Sequence, residues 1–126
     1  GVTRNSAVIL FVAALGLLGC VSRATEISAR ATTGGDPLKG SAAISRYGCG
    51  SCHTIPRIPG AHGLVGPPLT GIANRLYIAG ELPNVPSNLM SWIRDPAKVN
   101  EKTLMPELGV TEDDARDIAA FLYSLK

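Results

Sequence analysis

Residues 48–54 read Gly48-Cys49-Gly50-Ser51-Cys52-His53-Thr54, and within them Cys49 to His53 form the pattern C-x-x-C-H. That order suits covalent attachment of a haem. Each thiol adds to one vinyl group of the macrocycle, and the two-residue spacer sets the cysteines at the separation of the two vinyls. The histidine next in the chain falls beneath the ring, where its imidazole can ligate iron. Two other uses of a C-x-x-C pair fit this chain poorly. A thioredoxin-like site needs a βαβ pattern, which the sequence lacks. A structural zinc needs four ligands. Beyond Cys49, Cys52 and His53 there remain only the distant Cys20 and His62, and adjacent Cys52 and His53 chelate awkwardly.

The flanks of the motif read as helix before and loop after. Asp36-Pro37 is a helix start, with Asp as cap and Pro at the first position, and the helix is predicted to run through Tyr47 and stop at Gly48. Thr54–Pro68 holds four prolines and three glycines and reads as loop. A short helical turn is predicted over Thr70–Leu76, then a loop over Gly80–Pro86. Ser87 is placed to cap a helix to about Arg94, which Pro96 keeps from continuing. Val99–Val110 has neither helical nor strand period. Thr111 caps the last helix, and Glu112, Asp113 and Asp114 fill its first turn, where the helix dipole favours negative charge. Ala115, Ile118, Ala119, Leu122 and Leu125 then recur at helical spacing. No segment alternates as a strand does. The predicted fold class is therefore all-α: three or four short helices joined by long loops. Aromatic residues are 5% of the chain, so its side chains alone make a thin core that a bound group would complete.

The remaining ligand candidates are two methionines and one histidine. Met105 lies in the irregular stretch Thr103-Leu104-Met105-Pro106, from which a loop can aim a thioether at iron; this soft donor suits ferrous iron and raises the reduction potential. Met90 sits on a helix with Ile93 at i+3 and reads as packing. His62 reads as an exposed loop histidine. The alternative to Met105 is an open sixth position, which would make the protein a haem enzyme or a sensor of small ligands.

Charge is unevenly spread. Hydrophobic residues are 45% and charged residues 17%, against a usual ~25% charged. The formal net charge is +2, and Arg4 and Arg23 supply both units, so from Ala24 onward ten basic side chains face ten acidic ones. A neutral domain argues against a nucleic-acid binder, which needs a basic patch. Residues Ser6–Ser22 (SAVILFVAALGLLGCVS) carry no charge. As a helix they would be roughly 26 Å long, slightly short of a hydrocarbon core of ~30 Å. We expect an uncleaved single-span anchor. The other readings are a lipoprotein box at Leu17-Leu18-Gly19-Cys20, with Cys20 lipidated, and a cleaved secretion signal. Ser28–Asp36 (SARATTGGD) reads as a flexible tether. The expected division is thus an anchor at 1–23, a linker at 24–35 and a folded domain at 36–126.

Several signatures stand in order along that domain: Gly48 to Thr54, Gly66-Pro67-Pro68-Leu69, Leu89 through Pro96 (LMSWIRDP), Thr103-Leu104-Met105-Pro106, and Asp117 through Leu122 (DIAAFL). Together they resemble the monohaem class I cytochromes c of bacteria, over Asp36 to Lys126. The resemblance implies the cytochrome c fold, one covalent haem c on Cys49 and Cys52, and iron held between His53 and Met105. It implies that the Pro67 carbonyl accepts a hydrogen bond from the proximal imidazole and that Arg75 and Thr103 serve haem propionates. It also implies that Trp92 packs on the haem near Met105.

The function implied is one-electron transfer without bond-making catalysis. The partners implied are a membrane and redox proteins, either as a tethered shuttle or as a subunit of a respiratory oxidoreductase such as a terminal oxidase or nitric oxide reductase. The haem domain would lie on the periplasmic face of a bacterial inner membrane. Two features depart from the family pattern. The helix before the motif offers Ala42, Ala43 and Ile44 in place of a large aromatic, so the terminal helices are expected to pack through small residues. The lysine cluster that steers soluble cytochromes is missing, and a tethered carrier needs it less. Ile55, Ile58, Leu64 and Val65, beside the motif, are candidate docking contacts or, equally, loop residues folded over the haem.

Overall fold

The computed structural model describes residues 19–20 and 22–126. The apolar run expected as an anchor lies almost wholly outside the described residues. Among the described residues, no helix is long and apolar enough to cross a membrane. Five helices are described: α1 over residues 22–33, α2 Pro37–Arg46, α3 Pro86–Arg94, α4 Pro96–Val99 and α5 Glu112–Tyr123. Short 3-10 turns lie at Cys49–Ser51 and Ile72–Asn74.

The helix ends arise from local chemistry. The Asp36 carboxylate accepts from Leu38 N–H and Pro37 opens α2. Gly48, at φ 73°, turns the chain out of it, a left-handed geometry that glycine adopts without steric cost. Thr111 accepts from Asp114 N–H and starts α5. The expected cap at Ser87 is corrected: α3 begins one residue earlier, with Val85 in the cap position and Pro86 first in the helix. Proline needs no amide partner there, so the helix starts without a side-chain cap. Pro96 likewise ends one helix by opening another, since Asp95 caps α4 through Lys98 N–H at 3.1 Å.

Two further expectations are corrected. The stretch expected as a flexible tether is helical up to residue 33. It is docked rather than free: Ala29 is buried, Glu26 lies 3.6 Å from Arg57, and Arg30 pairs with Asp36 at 2.8 Å. These partners are remote in sequence or isolated, so no apolar period announces them. A small antiparallel hairpin also forms, Tyr77–Ile78 with Leu82–Pro83. Ala79 and Gly80 turn it at φ 53° and 72°, and strands of two residues are too short to show alternation.

The core sits where α2 crosses α5. Ala43, Ile44, Ala115, Ile118 and Ala119 are all buried there. The contact is between backbones: a Cβ on Gly40 would stand 2.0 Å from the Asp117 carbonyl oxygen, and one on Gly35 would stand 2.3 Å from that of Arg116. The expectation of close packing through small residues therefore holds. Gly40 makes the closest approach, however, and Ala42 faces solvent. Asp36 N–H donates to Asp117 Oδ1 at 2.7 Å, and Tyr47 O–H donates to Asp114 Oδ2 at 2.7 Å, which fixes both ends of the crossing. Leu89 and Ile93 of α3 complete the core.

Candidate functional site

The C-x-x-C-H residues leave α2 in a single tight turn. Ser51 N–H donates to Gly48 O at 3.0 Å, and Cys52 and His53 N–H groups both reach Cys49 O, at 3.3 and 3.1 Å. Both thiols are free and half-buried. Burial pushes the Cys49 thiol above its ordinary range, and the neighbouring Cys52 adds to this.

The next loop folds back beneath this turn. Gly63 N–H donates to the carbonyls of Gly50 and His53 at 3.0 and 3.2 Å, and Gly66 N–H to Cys52 O at 2.8 Å. Thr54 pairs with His62 in an isolated antiparallel bridge, and Leu69 N–H donates to Thr54 O at 2.9 Å. Glycine is required where this return is tightest. A Cβ on Gly63 would stand 2.4 Å from the Cys52 carbonyl carbon, and one on Gly66 would stand 2.4 Å from Cε1 of His53.

The imidazole is thereby held in one orientation. Its Nδ1 lies 2.8 Å from Pro67 O. A carbonyl can only accept, so Nδ1 carries a proton, and in the neutral ring Nε2 is the nitrogen that keeps its lone pair. This is the contact the sequence resemblance implied for Pro67. Arg75 points into the same segment, where its guanidinium donates to Pro68 O and, at 3.3 Å, to Thr70 O. Asn84 pins the far end of the segment through Nδ2, which donates to Ile72 O at 2.9 Å and Arg75 O at 2.8 Å. Sequence reading missed Asn84, because an Asn after Leu-Pro reads as loop and its partners lie nine and twelve residues away.

The other candidates lie on α3 and the irregular stretch after α4. Trp92 and Met90 are half-buried against the core. Met105 is half-buried, and its backbone N–H donates to Thr103 Oγ1 at 3.1 Å. That bond shapes the methionine loop and leaves the Thr103 hydroxyl proton free to donate elsewhere. His62 is exposed. Of the four apolar residues beside the motif, Leu64 (90% exposed) and Val65 lie on the surface. Ile55 (3%) and Ile58 are correspondingly removed as docking contacts: they are core residues beneath the loop.

The residues present fit a covalently held haem. Two free thiols sit in one turn, and beside them an imidazole has its Nε2 lone pair free because Nδ1–H is committed to Pro67. Among the described residues, no group of three or more His, Cys, Asp or Glu side chains converges as a zinc cage would require. The Met105 thioether stands on a separate, irregular stretch of chain.

Comparison with known proteins agrees. Residues 38–126 match the family model described as Cytochrome c. Over 89 residues the chain is 34% identical to a protein described as cytochrome c oxidase subunit 2 from Alkalihalophilus pseudofirmus. That match covers 70% of this chain and 25% of the relative, so the chain spans about a quarter of the relative's length. No solved structure matches the chain. With its C-x-x-C-H turn, its oriented histidine and the family match over nearly the whole folded part, this chain belongs to the cytochrome c family of haem c electron-transfer proteins.

Proposed function

We propose that this chain is the haem domain of, or a tethered donor to, a membrane oxidase on the outer face of a bacterial inner membrane. It passes single electrons without itself making or breaking substrate bonds. Bound haem supplies the one-electron couple between ferric and ferrous iron. The chain's residues set its orientation, potential and access. Cys49 and Cys52 would hold the haem through thioethers, His53 would ligate iron through Nε2, and Met105 would supply the second protein ligand. Trp92 would pack beside the haem, and Arg75 and Thr103 would serve its propionates.

The observation that carries the reading is the 2.8 Å bond from His53 Nδ1 to Pro67 O. It fixes the tautomer an iron ligand needs and raises the donor strength of the ring. The oxidase association draws on the similarity to a cytochrome c oxidase subunit 2 and on the even charge balance from Ala24 onward. A carrier held near its partner has no need of long-range steering. Residues 1–23 would provide the hold on the membrane, and docked α1 makes the connection a mount rather than a loose tether.

Met105→Ala tests the ligand set. The variant should keep its haem covalently attached, lose potential and bind carbon monoxide when reduced, whereas the wild-type protein should not bind it. Wild-type binding of carbon monoxide at neutral pH, or an unchanged Met105→Ala spectrum and potential, overturns Met105 as ligand. Purification in mild detergent tests the association: a chain that always elutes alone counts against it.

A further inference from the structure

The segment carrying the Pro67 carbonyl is fastened at both ends. Near its start, Gly66 and Leu69 N–H groups bond to Cys52 O and Thr54 O. Toward its end, Ala73 N–H donates to Leu125 O at 3.1 Å, just beyond α5. The strongest fastening there is Asn84. Its Nδ2 donates to Ile72 O and Arg75 O, its backbone N–H donates to Leu76 O at 2.9 Å, and its Oδ1 accepts from Tyr123 O–H at 2.7 Å. One side chain thus uses both faces of its amide, and the far partner is a half-buried tyrosine on α5.

Arg75 links this anchor to the histidine. Asn84 holds the Arg75 carbonyl, the Arg75 guanidinium grips Pro68 O, and the adjoining carbonyl of Pro67 accepts the hydrogen bond from His53 Nδ1–H. We propose that Asn84 is a positioning residue for the His53 ligand, acting through Arg75 and the Pro67–Pro68 carbonyl pair and steadied by Tyr123. An amide serves here because the position needs donors and an acceptor at once. The inference rests on His53 being an iron ligand. Loosening Asn84 lets the Pro67 carbonyl drift from Nδ1, which weakens the ring as a donor. A weaker donor favours ferrous over ferric iron, so the potential rises.

The test uses the haem-loaded full chain with Asn84→Ala and Tyr123→Phe, singly and together. Two readouts apply: the reduction potential, and hydrogen exchange of the His53 Nδ1 proton followed by NMR. Asn84→Ala should raise the potential and speed exchange about fivefold, the ratio corresponding to ~1 kcal/mol for one hydrogen bond. Tyr123→Phe should move both readouts less, in the same direction. The double variant should match Asn84→Ala, because the two residues act in series. A lowered melting temperature with potential and exchange unchanged overturns the proposal and leaves Asn84 as a pin for the hairpin alone. If Asn84→Ala yields no holoprotein, Tyr123→Phe decides by the same readouts. Failure of the ligand assignment is separately visible, since the wild-type protein would then lack a low-spin, histidine-ligated spectrum.

Discussion

The His53 ring lies against the backbone of Gly66, where an added Cβ would stand 2.4 Å from Cε1, 2.7 Å from Nδ1 and 2.9 Å from Nε2. No side chain fits between them. Gly66→Ala must therefore push the imidazole away from the Pro67 carbonyl or open the loop. The expected outcome is ~1–3 kcal/mol of destabilisation, typical of overpacking, together with weakened histidine ligation. Thermal unfolding and the visible spectrum of the holoprotein check both. A variant with wild-type stability and spectrum would show that the ring is not gripped here.

Gly40→Ala reverses the usual sign of a helix substitution. Alanine in a helix interior normally stabilises by roughly 0.5–1 kcal/mol. Here its Cβ would stand 2.0 Å from the backbone oxygen of Asp117. The two helices must separate, and a loss of ~1–3 kcal/mol is expected. Denaturant unfolding decides, since a net gain in stability would refute the backbone contact.

Acid sensitivity should trace to Asp114. Its carboxyl is held below the usual range chiefly by the Tyr47 hydroxyl; partial burial opposes this, and the Arg46 guanidinium and Thr111 add to the lowering. A lowered folded-state value means that stability is fully present above the unfolded carboxylate value of ~3.9 and is lost as the pH falls below it. Tyr47→Phe or Asp114→Asn should flatten that acid limb. Melting temperatures measured from about pH 6 down to about pH 2, a range that brackets the carboxylate value, test this. An unchanged slope in both variants would exclude Asp114 as a source.

Alkaline behaviour should trace to Tyr123. Burial pushes its hydroxyl up to about 12. The folded chain then keeps a proton that the unfolded chain releases near about pH 10. Stability is complete below that value and declines as the pH climbs toward 12. Tyr123→Phe should remove this decline while lowering stability at neutral pH by about 1 kcal/mol, the usual worth of one hydrogen bond. A full alkaline decline persisting in the variant would place its source elsewhere.

Much of this arrangement is legible in the sequence, because its signals are local. Asp36-Pro37 and Thr111 with its acidic first turn announce the two helices that cross. The C-x-x-C-H turn declares its chemistry within five residues, and the family resemblance alone points to the Pro67 carbonyl. The features that escape a sequence reading depend on distant partners. Helix α1 has one buried alanine and two ion pairs, so its pattern looks like linker. Gly40 reads as a weak helix residue until α5 is laid across it. Asn84 is anonymous among loop residues, because its meaning lies in carbonyls and a tyrosine that only the fold brings to it. Ile55 and Ile58 look like surface because their loop is rich in proline and glycine, yet the loop turns them inward.

The crossing of α2 and α5 has one more implication. Two main chains meeting at Gly40 and Asp117, with alanines around them, have almost no rotamers to redistribute. Such a junction behaves as a stiff joint. In the haem-loaded protein proposed above, a joint of this kind would rearrange little when iron changes charge, which would keep reorganisation energy small and let an electron arrive and depart without waiting for the protein to repack.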